Sequence, residues 1–498
     1  NLKYDGLLYI ADTWVPNAPT GATSADNVLV LNGTYNVNTD VAVNDLTVNP
    51  SATTEIPETL SIFLNGDLLN NGDITLNSVS DQYSSLIVTG TATGDVTYKR
   101  HVNVNASSSG NDLIAAPVTG QTFAVFAGNN PNIVSNLGNP SEKLFGPFDK
   151  ASETYLTYDT AIPAEAAVTL DPGIGYRAAS TDNGTFTFKG NVNTGSVVVN
   201  IFNSGTVYPE WNLIGNPYPS YIKLLDFLVA NNLQFLSPSA AIYGYNDNTD
   251  TEASGKWTIW NLAYALANSN KTLTPGQGFL VSSKGGGGSI TFDPSIRTNG
   301  SGDDFIIGRE TQRNEIAHLR LQMTSDSDLF STDFYFTDNA SRGLDVGYDA
   351  TVFNNVAPDF AIYSALVEDN EGNDIAIQSV GYNEYNNNIS IPLGINAIQG
   401  QQITITIENT TLSGDVEVYI EDSMLNTFTL LNDSDYVFNA DSNLSGIGRY
   451  YLRFASQTLT NPEYDLKNLS IYTTTSPKTV VIKGLIKDDT VANIYDIQ

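Results

Sequence analysis

The sequence predicts an all-β protein of several domains, and three features of its composition support this. Of the 498 residues, 41% are hydrophobic and only 15% are charged. Asn, Thr, Ser and Gly fill most of the remaining positions, and these residues favour turns and strand surfaces over long helices. The 26 Tyr and 21 Phe residues also favour strands. Only one stretch, Tyr221 to Asn231, has a helical pattern.

The charge of the chain and its lack of cysteine exclude several classes of protein. Lys and Arg number 22 against 54 Asp and Glu, which gives a formal net charge of −32 at pH 7. Such a surface repels nucleic acid and anionic lipid, so we expect no nucleic-acid partner. Without cysteine, the chain cannot form disulfides, thiolate nucleophiles or Cys-ligated metal sites. No apolar run is long enough to predict a membrane-spanning helix.

Residues 1–98 form the first predicted domain. Its apolar runs are short and alternating, and turns such as Asn65-Gly66-Asp67 and Asn70–Asp73 separate them at near-regular intervals. Alternation within a run directs one face of a strand inward. Short, evenly spaced strands predict a β-solenoid-like domain, and an ordinary sandwich of short hairpins is the alternative.

Residues 99–300 contain an internal duplication, which predicts two related β modules at 99–200 and 201–300. A repeat of about 100 residues is the size of a domain and too long for one solenoid coil. Four segments recur in the same order and at similar spacing: Asp112–Pro117 with Asn212–Pro217, Leu144–Asp149 with Ile242–Asp247, Leu170–Tyr176 with Leu273–Phe279, and Gly184–Phe188 with Gly288–Phe292.

The Pro-Gly-x-Gly-aromatic sequence shared by the two modules indicates a structural role. Pro and the first Gly predict a tight turn, the second Gly allows two backbones to approach closely, and the aromatic residue enters a buried strand. Aromatic rings also stack on sugars, so a carbohydrate-binding or glycan-active secreted protein is the alternative function, although core packing explains the same residues. The rings concerned are Trp211, Tyr218, Tyr243, Tyr245, Trp257 and Trp260.

Two further units complete the predicted organisation. Residues 301–460 contain about nine closely spaced strand patterns, which predict an antiparallel β-sandwich or jelly roll. Residues 461–498 contain three more short strands. Three such strands bury too little apolar surface to be stable alone, so we expect that the rest of the domain was cleaved, that it is disordered, or that another protein completes the sheet.

The final unit resembles a known family. Asn468–Tyr472, Val480–Gly484 and Val491–Gln498 are similar to the start of a type A C-terminal sorting domain, an Ig-like domain of type IX secretion system cargo in Bacteroidetes. Several upstream segments resemble parts of the large surface proteins that carry such domains: Trp211–Pro219, Gly343–Ala350, Ile391–Gly394, Val418–Asp422 and Tyr450–Phe454.

The resemblance implies a route and a set of partners. Cargo of this family crosses the periplasm and the outer membrane, guided by a sorting domain that binds the type IX translocon and its barrel-type shuttle protein. It is then released or anchored to surface lipopolysaccharide, and some members are adhesins for gliding motility. We therefore expect an exported, non-enzymatic surface protein. The residues expected to bind the partner are Leu469, Ile471, Tyr472, Val480, Ile482, Ile494, Tyr495 and Ile497.

The sequence shows little sign of catalytic chemistry. His101 and His318 are the only histidines, and neither stands in a recognisable catalytic motif. Short loops with several carboxylates are candidate calcium sites, although none has EF-hand spacing and solvated acidic turns are the alternative. We expect no other cofactor. The candidate calcium ligands are Asp247, Asp250, Asp326, Asp328, Asp369 and Asp374.

Overall fold

The computed structural model confirms the all-β, multi-domain architecture. The chain divides into two compact units, Asn1–Ala455 and Ser456–Gln498. In the part of the chain that the structure describes, no helix is long and apolar enough to cross a membrane. The described residues are 4–102, 111–245, 253–302, 304, 316–326, 328–386, 389–456, 470–475 and 478–483.

The first part of the chain is a parallel β-solenoid, as the short alternating strands predict. From β3 onward, successive strands enter three parallel sheets in turn, β3-β6-β9-β14, β4-β7-β10-β15 and β5-β8-β13, and β1 and β2 extend the first of these sheets. The strands are β1 Leu7–Ile10, β2 Thr13–Val15, β3 Val28–Val30, β4 Gly33–Asn36, β5 Val41–Val43, β6 Leu46–Val48, β7 Ala52–Ile56, β8 Ser61–Leu64, β9 Leu68–Asn70, β10 Asp73–Leu76, β11 Ser78–Val79, β12 Gln82–Tyr83, β13 Ser85–Val88, β14 Ala92–Thr93 and β15 Val96–His101.

Stacked apolar side chains and turn carboxylates hold successive coils of the solenoid together. Val28 pairs with Leu46, which pairs with Leu68 in the next coil, and all three are buried. At the turns, the Asp45 carboxylate accepts the backbone N–H of Asp67 at 2.8 Å, and Asp67 accepts that of Thr91 at 2.7 Å. The acidic turns therefore satisfy backbone donors that would otherwise lack a partner between coils.

The first repeat contains two helices that the sequence did not predict, α1 and α2. Both are short, with seven and four residues, so neither is long enough to show a helical period in the sequence. The elements of this repeat are β16 Asn111–Ala115, α1 Phe123–Asn129, β17 Ser135–Asn136, β18 Asn139–Lys143, β19 Phe145–Gly146, β20 Phe148–Asp149, β21 Thr154–Tyr155, β22 Tyr158–Asp159, α2 Pro163–Ala166, β23 Gly175–Ala179 and β24 Thr185–Gly190.

The second repeat contains the predicted helix, but this helix is shorter than expected because Tyr221–Lys223 forms a strand. A further helix, α4, was not predicted. The elements are β25 Val197–Ile201, β26 Trp211–Gly215, β27 Tyr221–Lys223, α3 Leu224–Asn231, β28 Ala241–Tyr245, β29 Ala253–Ser254, β30 Trp257–Asn261, α4 Leu262–Ala267, β31 Thr272–Leu273, β32 Gly278–Ser282, β33 Gly288–Phe292 and β34 Arg297–Thr298.

The two repeats share their strand pairing and contact each other in a reciprocal way. β16 pairs with β23 as β26 pairs with β32, and β15 pairs with β24 as β25 pairs with β33. Between the repeats, Ala115 donates its N–H to Gly276 O at 2.7 Å, while Gly215 donates to Gly173 O at 3.0 Å. The two hydrogen bonds are counterparts, because the repeat that donates in one accepts in the other. Such a reciprocal pair is the pattern of a pseudo-twofold interface.

The Pro-Gly-x-Gly-aromatic segments form this interface, which confirms their structural role. Gly173 and Gly276 have φ angles of +81° and +63°, a region that favours glycine. A Cβ on Gly175 would lie 2.8 Å from Ile214 O, and one on Gly278 would lie 2.7 Å from the backbone nitrogen of Ile114. The aromatic residues that follow, Tyr176 and Phe279, are buried.

The C-terminal part of the first unit is one hydrogen-bonded sheet in the residues described. Its order is β43-β42-β45-β40-β38-β39-β36-β35-β41-β44, with β37 attached to β39, and β36 runs parallel to β39. The strands are β35 Ala317–Thr324, β36 Leu329–Phe336, β37 Ala350–Thr351, β38 Ala361–Ser364, β39 Ile375–Val380, β40 Ser390–Asn396, β41 Gln402–Thr410, β42 Val416–Asp422, β43 Thr427–Leu430, β44 Tyr436–Asn439 and β45 Tyr450–Ser456. Short 3-10 helices occur at Asn232–Gln234, Ser237–Ser239, Pro294–Ile296, Phe353–Asn355 and Glu384–Asn386.

The hydrophobic cores cross the boundaries near residues 98 and 300 that the sequence suggests. One core joins the solenoid to the first repeat, and the other joins the second repeat to the C-terminal sheet. A buried ion pair also connects distant segments: Arg100 at the end of the solenoid lies 2.6 Å from Asp304, and its Nε donates to Gly276 O at 3.3 Å. The positions at which the strand arrangement changes along this unit are therefore not boundaries between separate cores.

Candidate functional site

The second compact unit contains an antiparallel hairpin at the positions that resemble a sorting domain. Strand β46, Ser470–Thr475, pairs with β47, Lys478–Lys483. The register places Ile471 opposite Ile482 and Thr473 opposite Val480, so these four positions belong to one face of the ladder. Of the other predicted partner-binding residues, Tyr472 pairs with Val481. Leu469, Ile494, Tyr495 and Ile497 lie outside the described residues.

This hairpin presents backbone edges to which another strand can add. In the described part of the unit, β46 and β47 pair only with each other. An isolated two-stranded hairpin is at best marginally stable in water, and the outer edge of each strand carries hydrogen-bonding groups that suit strand addition. Its geometry therefore fits completion by further strands.

The acidic loops proposed as calcium sites are only partly within the described residues. Asp247 and Asp250 lie outside the described residues. Among the residues that the structure does describe, no group of three His, Asp or Glu side chains could hold a metal ion. The Asp374 carboxylate instead accepts the N–H of Ala357 at 3.1 Å, and Asp328 accepts the Ser325 hydroxyl at 3.3 Å. Asp326 and Asp369 are exposed.

Both histidines are held by hydrogen bonds. His101 Nε2 lies 2.9 Å from Asn183 O. His318 Nε2 lies 2.7 Å from the buried Asp333 carboxylate, which also contacts Arg320 at 3.2 Å. Burial alone would raise the pKa of Asp333, but Arg320 and His318 outweigh it and hold that pKa below its usual value.

The cluster around His318 is a cross-strand network. Arg320 also contacts Glu408 at 2.9 Å, and the ring of Tyr335 stacks on His318 with centroids 4.6 Å apart. These residues lie on β35, β36 and β41, which are adjacent in the sheet. The carboxylate of this His–Asp pair also binds an arginine, and the histidine ring is stacked on a tyrosine. Such a network is suited to stabilising the pairing of neighbouring strands.

Most of the aromatic residues singled out in the sequence belong to the core. Trp211, Tyr218, Tyr243 and Trp260 are almost completely buried, which confirms core packing for them. Tyr245 and Trp257 are half-buried, and their rings meet edge to face with centroids 5.3 Å apart. Only Trp257 of the six lines the pocket described next.

A pocket of about 460 Å³ lies where the second repeat meets the C-terminal sheet. We call it the aromatic pocket. It could not be predicted from the sequence because Trp257 lies 73 residues before the nearest of its other rings, Phe330, and the shared core brings them together. Its lining consists of Trp257, Phe330, Phe353 and Phe360, the polar residues Lys256, Asp328, Asp359 and Gln401, and the backbone or aliphatic residues Gly255, Leu329, Val352, Val356, Pro358 and Ile398.

Ring stacking fixes the floor of the aromatic pocket. Phe353 stacks on Trp257 with centroids 4.2 Å apart and an interplanar angle of 17°, and its centroid lies 4.6 Å from that of Trp211. Gly255 has a φ of +74°, and a Cβ there would lie 2.9 Å from the Phe330 ring. Any larger residue at position 255 would therefore disturb the wall of the pocket.

Comparison with known proteins supplies a family. A family model described as a domain of unknown function, DUF8693, matches residues 10–454. The chain belongs to the DUF8693 family. Neither the curated proteins nor the solved structures compared with it contain a match.

The DUF8693 domain coincides with the first compact unit. The match ends at residue 454 and the unit ends at Ala455, so the solenoid, both repeats and the C-terminal sheet belong to one family domain. The aromatic pocket lies inside this domain, whereas the hairpin Ser470–Lys483 lies beyond the matched range. The family domain and the segment resembling a sorting signal are therefore distinct parts of the chain.

Proposed function

We propose that this chain is an exported, non-enzymatic cell-surface protein of the Bacteroidetes type, acting in adhesion or gliding. In this proposal the DUF8693 domain is the part displayed outside the cell. Residues 461–498 act as the sorting signal that binds the type IX translocon and its barrel-type shuttle protein. Anchoring to surface lipopolysaccharide would follow delivery.

The observation that supports the proposal best is the separation of the chain into two units at the end of the family domain. The first unit has its own continuous cores. The second contains an antiparallel hairpin at the segments that resemble a sorting domain. A small β unit that is marginally stable alone suits recognition by strand addition.

The large acidic surface and the structural use of both histidines are consistent with a protein that is displayed rather than catalytic. A net charge of −32 favours a dispersed, soluble surface. The His318–Asp333 pair is shared with Arg320 within a sheet, where an arginine competes for the carboxylate that a catalytic histidine would need.

A pull-down of the type IX translocon from solubilised outer membranes tests the proposal. We expect the full chain to recover the translocon and its shuttle protein, and the chain ending at Ala455 to lose them. Ile471→Lys combined with Ile482→Lys changes an opposed pair and should weaken recovery strongly. Val198→Lys combined with Val229→Lys, at two exposed residues of the DUF8693 domain, is the matched control and should leave recovery unchanged. Equal recovery by the full and shortened chains would overturn the proposal.

A further inference from the structure

We propose that the aromatic pocket is a binding site for a neutral pyranose sugar. This site lies within the DUF8693 domain and does not depend on the route by which the chain reaches its destination. Its size of about 460 Å³ is within the range of small-ligand sites in proteins.

The apolar wall of the aromatic pocket suits the C–H face of a pyranose ring. Trp257 and Phe360 are each half-buried, which leaves part of each ring open to a ligand, and Phe353 stacks on Trp257 and holds that ring in place. The face of an aromatic ring carries partial negative charge, which attracts the weakly positive C–H groups on one side of a sugar. The rim adds Val356 and Ile398, which are 66% and 57% exposed.

The polar groups of the pocket suit sugar hydroxyls. Asp359 is exposed at the rim, and a carboxylate can accept hydrogen bonds from two adjacent hydroxyls. The Gln401 carbonyl oxygen accepts the N–H of Ile398 at 2.9 Å, which fixes the plane of the amide beside the pocket. A few placed polar groups on a mainly apolar wall are characteristic of sites that orient a small polar ligand.

The loop that carries Phe353, Val356 and Asp359 is held in place before any ligand binds. Asn396 donates to Pro358 O at 2.8 Å, and Asp374 accepts the N–H of Ala357 at 3.1 Å. A wall that is already ordered loses little conformational entropy when a ligand binds.

The charge of the chain selects among sugars. Two carboxylates, Asp328 and Asp359, line the pocket beside one cation, Lys256, on a protein whose net charge is −32. This field disfavours uronic acids and sulfated sugars. An apolar peptide side chain is the competing occupant, and it would make no use of the exposed Asp359 carboxylate at the rim.

Ligand-observed saturation-transfer NMR on the full chain tests the proposal. The probes are the methyl pyranosides of glucose, galactose, mannose and N-acetylglucosamine, with methyl glucuronide and N-acetyl-phenylalaninamide as contrasting ligands. We expect saturable binding of at least one neutral pyranoside, with the strongest transfer to the ring C–H protons. Methyl glucuronide should bind more weakly.

Two variants locate the binding. Val356→Trp places an indole at the mouth of the pocket without removing a buried contact and should weaken binding by about tenfold or more. Asp359→Ala should also weaken it. Val198→Trp, at a residue 59% exposed on β25, is the matched control, and thermal unfolding checks that all variants fold. The proposal is overturned if no neutral pyranoside binds, if Val356→Trp binds as well as Val198→Trp, or if only the phenylalanine amide binds.

Discussion

Asn130 and Asn231 make the same set of hydrogen bonds at the ends of the equivalent helices of the two repeats. The Asn130 side chain donates to Thr187 O at 3.1 Å and accepts the N–H of Thr187 at 2.6 Å. Asn231 donates to Thr291 O at 3.0 Å and accepts the N–H of Thr291 at 2.8 Å. Each asparagine also donates to a carbonyl of its own helix. Both are buried, so each ties a helix end to a strand of the same repeat.

The first prediction is that Asn130→Ala destabilises the first unit by about 3 kcal/mol, because one buried and two partly buried backbone groups lose their side-chain partner. Asn231→Ala should cost a similar amount. The two losses should add within about 0.5 kcal/mol, since the residues belong to different cores. Urea unfolding measures each. Asn129→Ala, at an exposed position of the same helix, is the control. Equal stability of the Asn129 and Asn130 variants would contradict the prediction.

The duplication and the role of its motifs could be predicted from the sequence because Gly and Pro act locally. Gly173 and Gly276 set turns whatever surrounds them, and their spacing within the two repeats is similar. The equivalence of Asn130 and Asn231 could not be predicted so directly, because α1 has only seven residues and is too short for a periodic pattern. The sequence did contain one signal of this equivalence: in both repeats, an asparagine follows the aligned segments at a similar distance.

The second prediction concerns the interface between the repeats. Gly175→Ala and Gly278→Ala should each destabilise the unit by about 2 kcal/mol or more, because the added methyl group overlaps the opposite repeat. Gly195→Ala, where a Cβ would meet nothing within 4 Å, should change stability little. Thermal unfolding of the three variants compares them. An interface that tolerated both methyl groups would rule out the close reciprocal packing described above.

The third prediction is a pH dependence from Asp349. Burial raises the pKa of this carboxyl to about 7, while its pKa in the unfolded chain is near the ordinary value. At pH values between these two pKa values, the folded protein holds a proton on Asp349 that the unfolded chain releases. The contribution of this group to the free energy of unfolding is therefore largest at low pH and falls as pH rises toward 7.

Comparing wild type with Asp349→Asn isolates this effect. The difference between their free energies of unfolding should shift by up to about 1.4 kcal/mol per pH unit across this range. Urea unfolding at several pH values measures it. The asparagine cannot accept both backbone N–H groups, from Ser379 and Asp345, so only the slope is diagnostic. A difference that does not change with pH would contradict the raised pKa.

The fourth prediction concerns Asp422, which links β42 to β44 and to the residue that precedes β45. Its carboxylate contacts Arg449 at 2.6 Å and accepts the Tyr436 hydroxyl at 2.9 Å. Asp422→Ala should destabilise the unit by about 3 kcal/mol, since both partners lose a buried acceptor. Asp433→Ala, at an exposed acid nearby, should change the melting temperature little. If both variants melt alike, the Asp422 network does not stabilise the sheet.

The functional regions differ in how far the sequence could predict them. The hairpin Ser470–Lys483 follows from alternating runs that are local in the sequence. The aromatic pocket could not be predicted, because Trp257 contacts Phe353 only after the second repeat and the C-terminal sheet share a core. The candidate calcium ligands were chosen by local density alone, and a count of nearby carboxylates does not predict hydrogen bonds such as the one that Asp374 accepts from the Ala357 N–H.

Surface delivery in living cells tests the central claim most directly. The full gene product would be expressed in a bacterium with a working type IX system and in a matched strain without the translocon, and protease added to intact cells would report surface exposure of the DUF8693 domain. We predict cleavage in the first strain, and protection in the second strain and whenever residues 456–498 are deleted. Equal surface exposure with and without those residues would contradict the account.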